Sequence, residues 1–342
     1  METAFYSEIK QQPAALRTTL AAYAENDFEL IKQAIRLIAS APALVMSGMG
    51  TSYNVCLCAL KGLSNIQRVN AIPSYQLLQD GLAGIKEEDM LLLISQSGES
   101  AEIIEICKQL EGKNPVIAIT NDLNSSLAKA ACLVLPLYCG EEKSITNATF
   151  TATLAVLQLM CACAEGRDLD ALKTELIEAS YEAERFLSNE EKVFALADSL
   201  DGIDRLHFIG RSGLEMSIVE QAALTFKEGA NINAHSFSVG AFRHGPMELC
   251  GKDHVAVLYV SDTESAEAAQ RLAERMRANG SHVISISNKA FDGEGLFIEA
   301  QSPEAFAAVA AIINEMLIVR AADRRGKEAG IFTIAGKICK EL

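Results

Sequence analysis

The stretch Ile94-Ser95-Gln96-Ser97-Gly98-Glu99-Ser100-Ala101-Glu102 returns, in weakened form, as Val260-Ser261-Asp262-Thr263-Glu264-Ser265-Ala266-Glu267. Each copy follows an apolar run of strand length and opens a stretch of helical period, so each reads as strand, turn and helix. This pairing sets Glu99 and Glu264 165 residues apart. Nearby landmarks keep almost the same offset: Thr120-Asn121 recurs as Ser287-Asn288, and the glycine turn at Gly48 to Gly50 recurs at Gly210 to Gly213. A chance match of one tetrapeptide would not preserve order and spacing, so the chain carries an internal repeat.

Working outward, strand-length apolar runs alternate with helical periods, the pattern of a parallel sheet covered by helices. The first round places strands near Ala43 to Ser47, Met90 to Ser95, Val116 to Thr120 and Cys132 to Leu137, with helices from Thr51 to Gly62 and from Glu99 to Leu110. The second places strands near Leu206 to Ile209, Val255 to Val260, Val283 to Ser287 and Leu296 to Ile298. The expected fold is α/β: two tandem αβα sandwiches with flavodoxin-like, mostly parallel sheets. The expected organisation is a helical extension at residues 1–40, a first domain at 41–165, a helical connector at 166–200 and a second domain at 201–342.

Composition narrows the function classes. At 342 residues and 49% hydrophobic, the chain can bury a core of the size two domains require. Its apolar runs, such as Leu91 to Ile94 and Val116 to Ile119, are too short to cross about 30 Å of hydrocarbon. The start Met1-Glu2-Thr3-Ala4 lacks the basic and apolar regions of a signal peptide, so a cytoplasmic protein is expected. The nine cysteines are scattered and read as small core residues in a reducing compartment, and the five histidines are not at ligand spacing. No metal or other cofactor is expected. A formal charge of -15 repels phosphate backbones, which disfavours nucleic-acid partners and obliges any anionic ligand to find a strong local site.

Two turns in the first half offer such a site. Ser47-Gly48-Met49-Gly50-Thr51-Ser52 follows one strand and Ser95-Gln96-Ser97-Gly98-Glu99-Ser100 follows another. Strand-to-helix turns gather unpaired N–H groups and the positive end of a helix, glycines let the backbone approach a ligand, and hydroxyls add donors. Capping explains either turn alone. Both, however, fall at carboxyl ends of parallel strands, where ligands of open α/β sheets gather. Neither matches a Walker or dinucleotide pattern.

The second half lacks the serines, with Asp262 aligned to Ser97, so no second phosphate is expected there. It carries instead a helix from Leu214 to Glu228 that ends in Lys227-Glu228, followed by a loop with Arg243-His244-Gly245-Pro246. A glutamate at a helix carboxyl end opposes the dipole, which points to another role. Aldose–ketose chemistry needs a base between adjacent carbons and a second group to open the ring, and Glu228 and His244 suit those tasks.

Gly50-Thr51-Ser52-Tyr53-Asn54, Ser95-Gln96-Ser97-Gly98-Glu99, Lys227-Glu228 and His244-Gly245-Pro246, in this order, resemble the sugar isomerase (SIS) family, and within it the isomerase half of glutamine–fructose-6-phosphate amidotransferases. The resemblance spans roughly Leu44 to the C-terminus. It implies that Gly50, Thr51, Ser52, Ser95, Gln96, Ser97 and Ser100 hold a sugar phosphate. It further implies that Glu228 moves the proton between the first two carbons and that His244 assists ring opening. In the family this histidine comes from a neighbouring subunit, which implies a homodimer with shared sites. A lysine in a tail that closes over the site can form a Schiff base with the ketose; Lys337 is the candidate and Lys340 its rival.

The departures from that family pattern redirect the expected reaction. No counterpart of the glutaminase domain or its N-terminal cysteine is found beside Met1, Thr225 replaces the lysine one turn before the catalytic glutamate, and Ser144 to Phe150 lacks the lysine usual there. Met49 stands where the synthase has cysteine. These changes resemble stand-alone relatives that remove an amine from a phosphorylated ketosamine, by deamination or deglycation. The expected function is thus a phosphosugar isomerase, deaminase or deglycase acting near C1 and C2 of a 6-phosphorylated amino sugar or fructosamine. The rival is a catalytically silent sugar-phosphate sensor, which needs only the cradle.

Overall fold

The computed structural model describes residues 3–200, 202–203, 205–211, 213–332, 334 and 336–337. The chain forms two compact units, one drawn from Met1–Ala14, Glu142–Asn147 and Glu175–Phe332, the other from Ala15–Glu141, Ala148–Thr174 and Thr333–Leu342.

In chain order, α1 (Ala4–Ala24) and α2 (Glu29–Ser40) precede β1 (Leu44–Gly48), α3 (Thr51–Cys56), α4 (Leu60–Leu63), β2 (Val69–Pro73) and α5 (Ser74–Gln76). There follow β3 (Met90–Ile94), α6 (Ala101–Leu110), β4 (Val116–Thr120), α7 (Ser126–Ala130), β5 (Leu133–Pro136), α8 (Ala148–Ala164), α9 (Leu169–Ser188) and α10 (Glu191–Asp198). The second round holds β6 (Arg205–Gly210), α11 (Leu214–Ala230), β7 (Ala234–Ser238), α12 (Val239–Phe242), β8 (His254–Val260), α13 (Thr263–Ala278), β9 (His282–Ser287), β10 (Glu294–Phe297) and α14 (Pro303–Arg324).

The first sheet has the order β2-β1-β3-β4-β5 and the second β10-β9-β8-β6-β7, which read from the other edge is β7-β6-β8-β9-β10. The two orders are the same, and every pairing in both is parallel. The repeat is therefore one α/β topology used twice. Strands β1, β3, β4 and β8 are buried at every residue, as expected of parallel strands covered on both faces, and so they read as unbroken apolar runs.

Several boundaries differ from those read in the sequence, and two strands were not anticipated. The unanticipated ones, β2 and β7, sit beside β1 and β6 at the same edge of each sheet. Their residues, Val-Asn-Ala-Ile-Pro and Ala-His-Ser-Phe-Ser, are mostly half-buried or exposed and carry no apolar run. The helix expected from Thr51 to Gly62 is broken after Cys56 by a turn of 3-10 helix at Leu57–Ala59. The helix expected from Glu99 begins at Ala101, with Ser100 as its N-cap.

That last boundary corrects the pairing of the two halves. Asp262 is the N-cap of α13, its side chain accepting the Ser265 N–H in a capping box, so its counterpart is Ser100 and not Ser97. Six residues (95–100) separate β3 from α6, whereas two (261–262) separate β8 from α13. The second turn has lost its loop, and Glu264 matches Glu102, each the second residue of its helix.

Not all the cysteines are core residues. Among the described residues Cys56 and Cys161 are buried, Cys132 is exposed and the others lie between. Burial pushes the Cys56 thiol up to about 12 and Cys107 to about 11, away from reactivity. One described helix, α14, is long and apolar enough to cross a membrane; it lies instead in the core of its unit, with nearly all of it buried, including Glu315. Burial raises the pKa of Glu315 well above the carboxylate range, reinforced by the nearby charges of Glu142 and Glu8 and opposed by the amide of Gln12, which donates to it.

Candidate functional site

The two hydroxyl-rich turns lie at the ends of neighbouring strands β1 and β3, within one unit. Gly50 is the N-cap of α3 with φ 51° and ψ −122°, a conformation open to glycine and strained for other residues. Gly48 is equally constrained, since a Cβ there would lie 2.6 Å from the backbone carbon of Ser52. The helix entry is thereby held close against the strand end. Beneath it, the buried Ser47 hydroxyl donates to the Ile72 carbonyl at 2.7 Å and meets Ser74 Oγ at 2.9 Å, tying β1 to β2. Thr51 and Ser52 remain partly exposed at the mouth.

The second turn is shaped by its own serines. Ser95 is buried; its Oγ accepts the Gly98 N–H at 3.1 Å and lies 3.3 Å from Ser100 Oγ. Ser97 Oγ accepts the Glu99 N–H at 3.2 Å. Gln96, Ser97 and Ser100 are partly exposed. Gly98 has φ +63°, and a Cβ there would fall 2.1 Å from Ser125 Oγ.

The chain after β4 braces this turn. The Asn121 N–H and the Thr120 hydroxyl both donate to the Gln96 carbonyl, at 3.1 and 3.2 Å, and the Leu127 N–H donates to the Gly98 carbonyl. Glu99, which belongs to the motif, points its carboxylate at the amino end of α7, where it accepts the Ser126 N–H at 2.6 Å and the Ser126 hydroxyl at 3.0 Å. Glu99 therefore fixes the loop rather than facing a ligand. Sequence reasoning marked Thr120-Asn121 as a repeat landmark but missed this bracing role and the part of Ser125 and Ser126.

Glu228 and His244 both belong to the other unit. Glu228 is half-buried in the last turn of α11, which ends at Asn231 in the left-handed conformation. Gly229 allows tight packing behind it: a Cβ there would lie 2.6 Å from Ile318 Cγ2 and 2.9 Å from Ile145 Cδ1. Burial lowers the pKa of neighbouring Lys227, opposed by the charges of Glu220 and Glu228, and its ammonium donates to the Ala223 carbonyl at 3.1 Å. Thr225 is buried, its hydroxyl donating to the Gln221 carbonyl of its own helix. His244 is exposed, two residues after the end of α12, and is followed by Gly245 at φ +115°.

The segment Glu142–Asn147, read in the sequence as part of the first half, belongs to the unit that carries Glu228. Ile145 touches Gly229, and its N–H donates to the Gly330 carbonyl. Glu8 gathers the segment: its carboxylate accepts from the Ser144 hydroxyl, the Lys143 N–H at 2.8 Å and the Asn147 amide at 2.9 Å. Burial works against the charge on Glu8, but these hydrogen bonds outweigh it and hold the carboxyl below its ordinary pKa. Lys337 is half-buried at a bend, and Lys340 lies outside the described residues.

The fold is that of an α/β protein built on two parallel five-stranded sheets of one topology, and the SIS domain family matches residues 37–162 and 199–293, more than half of the chain. The chain belongs to that family, with the domain present in tandem. It is 25% identical over 315 residues to the glutamine–fructose-6-phosphate aminotransferase (isomerizing) of Sulfurisphaera tokodaii, covering 90% of this chain and 51% of that protein. The corresponding protein of Aeropyrum pernix is 29% identical over 298 residues, covering 82% of this chain and 46% of its own length. The chain thus spans about half the length of the curated relatives it matches. Among solved structures, the C-terminal domain of glucosamine-fructose-6-phosphate aminotransferase from Francisella tularensis superposes with a TM-score of 0.86 at 22% identity, over 96% of this chain and 98% of that one. Glucosamine-6-phosphate deaminase from Thermotoga maritima superposes with a TM-score of 0.78 at 18% identity, over 98% and 99%. These likenesses establish a shared fold.

Proposed function

We propose that this chain binds a 6-phosphorylated amino sugar or fructosamine by its phosphate in the turns after β1 and β3, and rearranges it at C1 and C2. The observation that carries the reading is the pair of adjacent strand ends whose helix entries are held close by Gly48 and Gly50 and whose partly exposed hydroxyls are Thr51, Ser52, Ser97 and Ser100. Backbone N–H groups, hydroxyls and a helix dipole converging at one mouth suit a phosphate monoester. The solved structures of similar fold include the glucosamine-6-phosphate deaminase above and a tagatose-6-phosphate ketose/aldose isomerase from Escherichia coli, which support a substrate of this class.

In this mechanism His244 assists opening of the sugar ring, and Glu228 takes a proton from one of the first two carbons and returns it to the other. Lys337 forms an imine with the ketose carbonyl. Where the substrate carries nitrogen at C1 or C2, water enters and the amine leaves, which is deamination for an amino sugar and deglycation for a fructosamine. A homodimer, in which His244 of one copy serves the other, is part of the proposal.

A panel of hexose 6-phosphates, amino sugar 6-phosphates and fructosamine 6-phosphates tests it, first by thermal shift and then by solvent-deuterium incorporation and amine release. Stabilisation only by phosphorylated members, with label at C1 or C2, is the expected result. Binding indifferent to the phosphate would remove the cradle from the mechanism.

A further inference from the structure

In the second sheet, the strands equivalent to β1 and β3 are β6 and β8, and the corner between their carboxyl ends holds a carboxylate. Glu215, the second residue of α11, is 2% exposed. Its Oε2 accepts the N–H of Arg211, the first residue after β6, at 2.6 Å. Its Oε1 accepts both the N–H and the hydroxyl of Ser261, the first residue after β8, at 2.9 and 2.6 Å. Ser261 stands where Ser95 stands after β3. Gly210 makes the approach possible, since a Cβ there would lie 2.9 Å from Glu215 Cβ.

The donors met by Glu215 are those a phosphate oxygen takes at a strand end: backbone N–H groups, a serine hydroxyl and the positive entry of a long helix. A guanidinium stands beside them. Arg211 pairs with Asp262 at 2.9 Å and Glu264 at 2.7 Å, and its Nε is buried with no hydrogen-bond partner among the described residues.

We propose that Glu215 is a built-in ligand: the second half has kept an anion-binding corner, and the protein's own carboxylate fills it. Each chain then binds one phosphate-bearing ligand, and removal of the Glu215 carboxylate unmasks a second site for inorganic phosphate or a phosphate monoester. The stoichiometry of one rests on the function proposed above; the masked corner does not.

The test is calorimetric titration of inorganic phosphate and of fructose 6-phosphate into the wild type and Glu215→Ala. The wild type should take one equivalent and Glu215→Ala a second, weaker one, with phosphate or sulfate raising the Tm of Glu215→Ala more than that of the wild type. In Ser97→Ala/Glu215→Ala the new site should persist while the first weakens. A folded Glu215→Ala that gains neither a second equivalent nor extra stabilisation would overturn the inference. If only the new site appears and the wild type binds nothing, the cradle fails and the masked corner stands. Should Glu215→Ala not fold, wild-type crystals soaked in selenate decide: anomalous signal absent at the Arg211–Ser261 corner supports the inference, and a peak there overturns it.

Discussion

Gly50 and Gly213 hold the same backbone conformation at the same station of two sheets: φ 51° and ψ −122° after β1, φ 57° and ψ −115° after β6. Each is the N-cap of the helix that follows. At Gly213 nothing lies within 4 Å of where a Cβ would stand, so Gly213→Ala meets backbone strain alone. The expected loss is about 1–3 kcal/mol in urea unfolding. Gly48→Ala should cost more by a different route: its φ is not positive, but its Cβ would fall 2.6 Å from the Ser52 backbone. A neutral Gly213→Ala would show that the turn relaxes.

How much of this was legible follows from what each element buries. The central strands are buried at every residue or at all but the first, and announce themselves as apolar runs, so the sequence pattern places β1, β3, β4, β6, β8 and β9 to within a residue or two. The edge strands β2 and β7 bury too little to leave such a run, so the apolar pattern assigns no element to either segment. The SQSGES turn was legible as an anion site because hydroxyls and glycine cluster there, whereas the bracing by Thr120, Asn121 and Ser126 depends on contacts across the sheet. The segment around Ser144 could not be assigned to its unit, since Glu8, 136 residues away, is what organises it. Glu215 gave no signal at all: a glutamate in the first turn of a helix is ordinary, and only its reach to Ser261 shows its task.

Ser97 tests the cradle directly. Its hydroxyl is partly exposed while it holds the Glu99 N–H, so Ser97→Ala removes a donor to the ligand with little change in packing. Loss of one charge-assisted bond should weaken hexose 6-phosphate binding by roughly 1.5–3 kcal/mol. Calorimetry or thermal shift reads this, and unchanged affinity would place the phosphate elsewhere.

Acid should destabilise the protein through a histidine pair. His207 Nδ1 lies 2.7 Å from His254 Nε2, His254 Nδ1 lies 2.8 Å from Ser281 Oγ, and both rings are buried. Burial, with the nearby His254, His235 and Arg205, pushes His207 down to about 4; burial, with Arg205, does the same to His254. Between the ordinary 6.5 and about 4 the unfolded chain binds protons that the folded one refuses, so stability falls as the pH drops through that window and is fully present above it. Urea midpoints measured from pH 7.5 to 4.5 should decline, and His254→Gln should flatten the slope. Midpoints constant across the window would mean that the pair protonates in place.

The shared-site proposal makes a separate demand on the assembly. If His244 serves the Glu228 of another copy, Glu228→Gln and His244→Asn should each be inactive alone, and their mixture should recover activity in heterodimers. A monomer in light scattering, or no recovery after verified subunit exchange, would count against the arrangement.

Enzyme and sensor part at Glu228. Glu228→Gln keeps the size and shape of a half-buried side chain, yet removes the proton acceptor. Turnover should fall by about two to four orders of magnitude, the usual contribution of general acid–base catalysis. Ligand affinity should change little, because the phosphate contacts belong to the turns at Thr51 and Ser97. Lys337→Met should also slow turnover, and borohydride added with a ketose phosphate should leave a reduced adduct on Lys337. A sensor behaves differently before any mutation is made: the wild type would bind sugar phosphates, incorporate no deuterium at C1 or C2 and release no amine. That inert behaviour across the whole panel would leave Glu228 a structural residue and the chain a ligand-controlled binding protein.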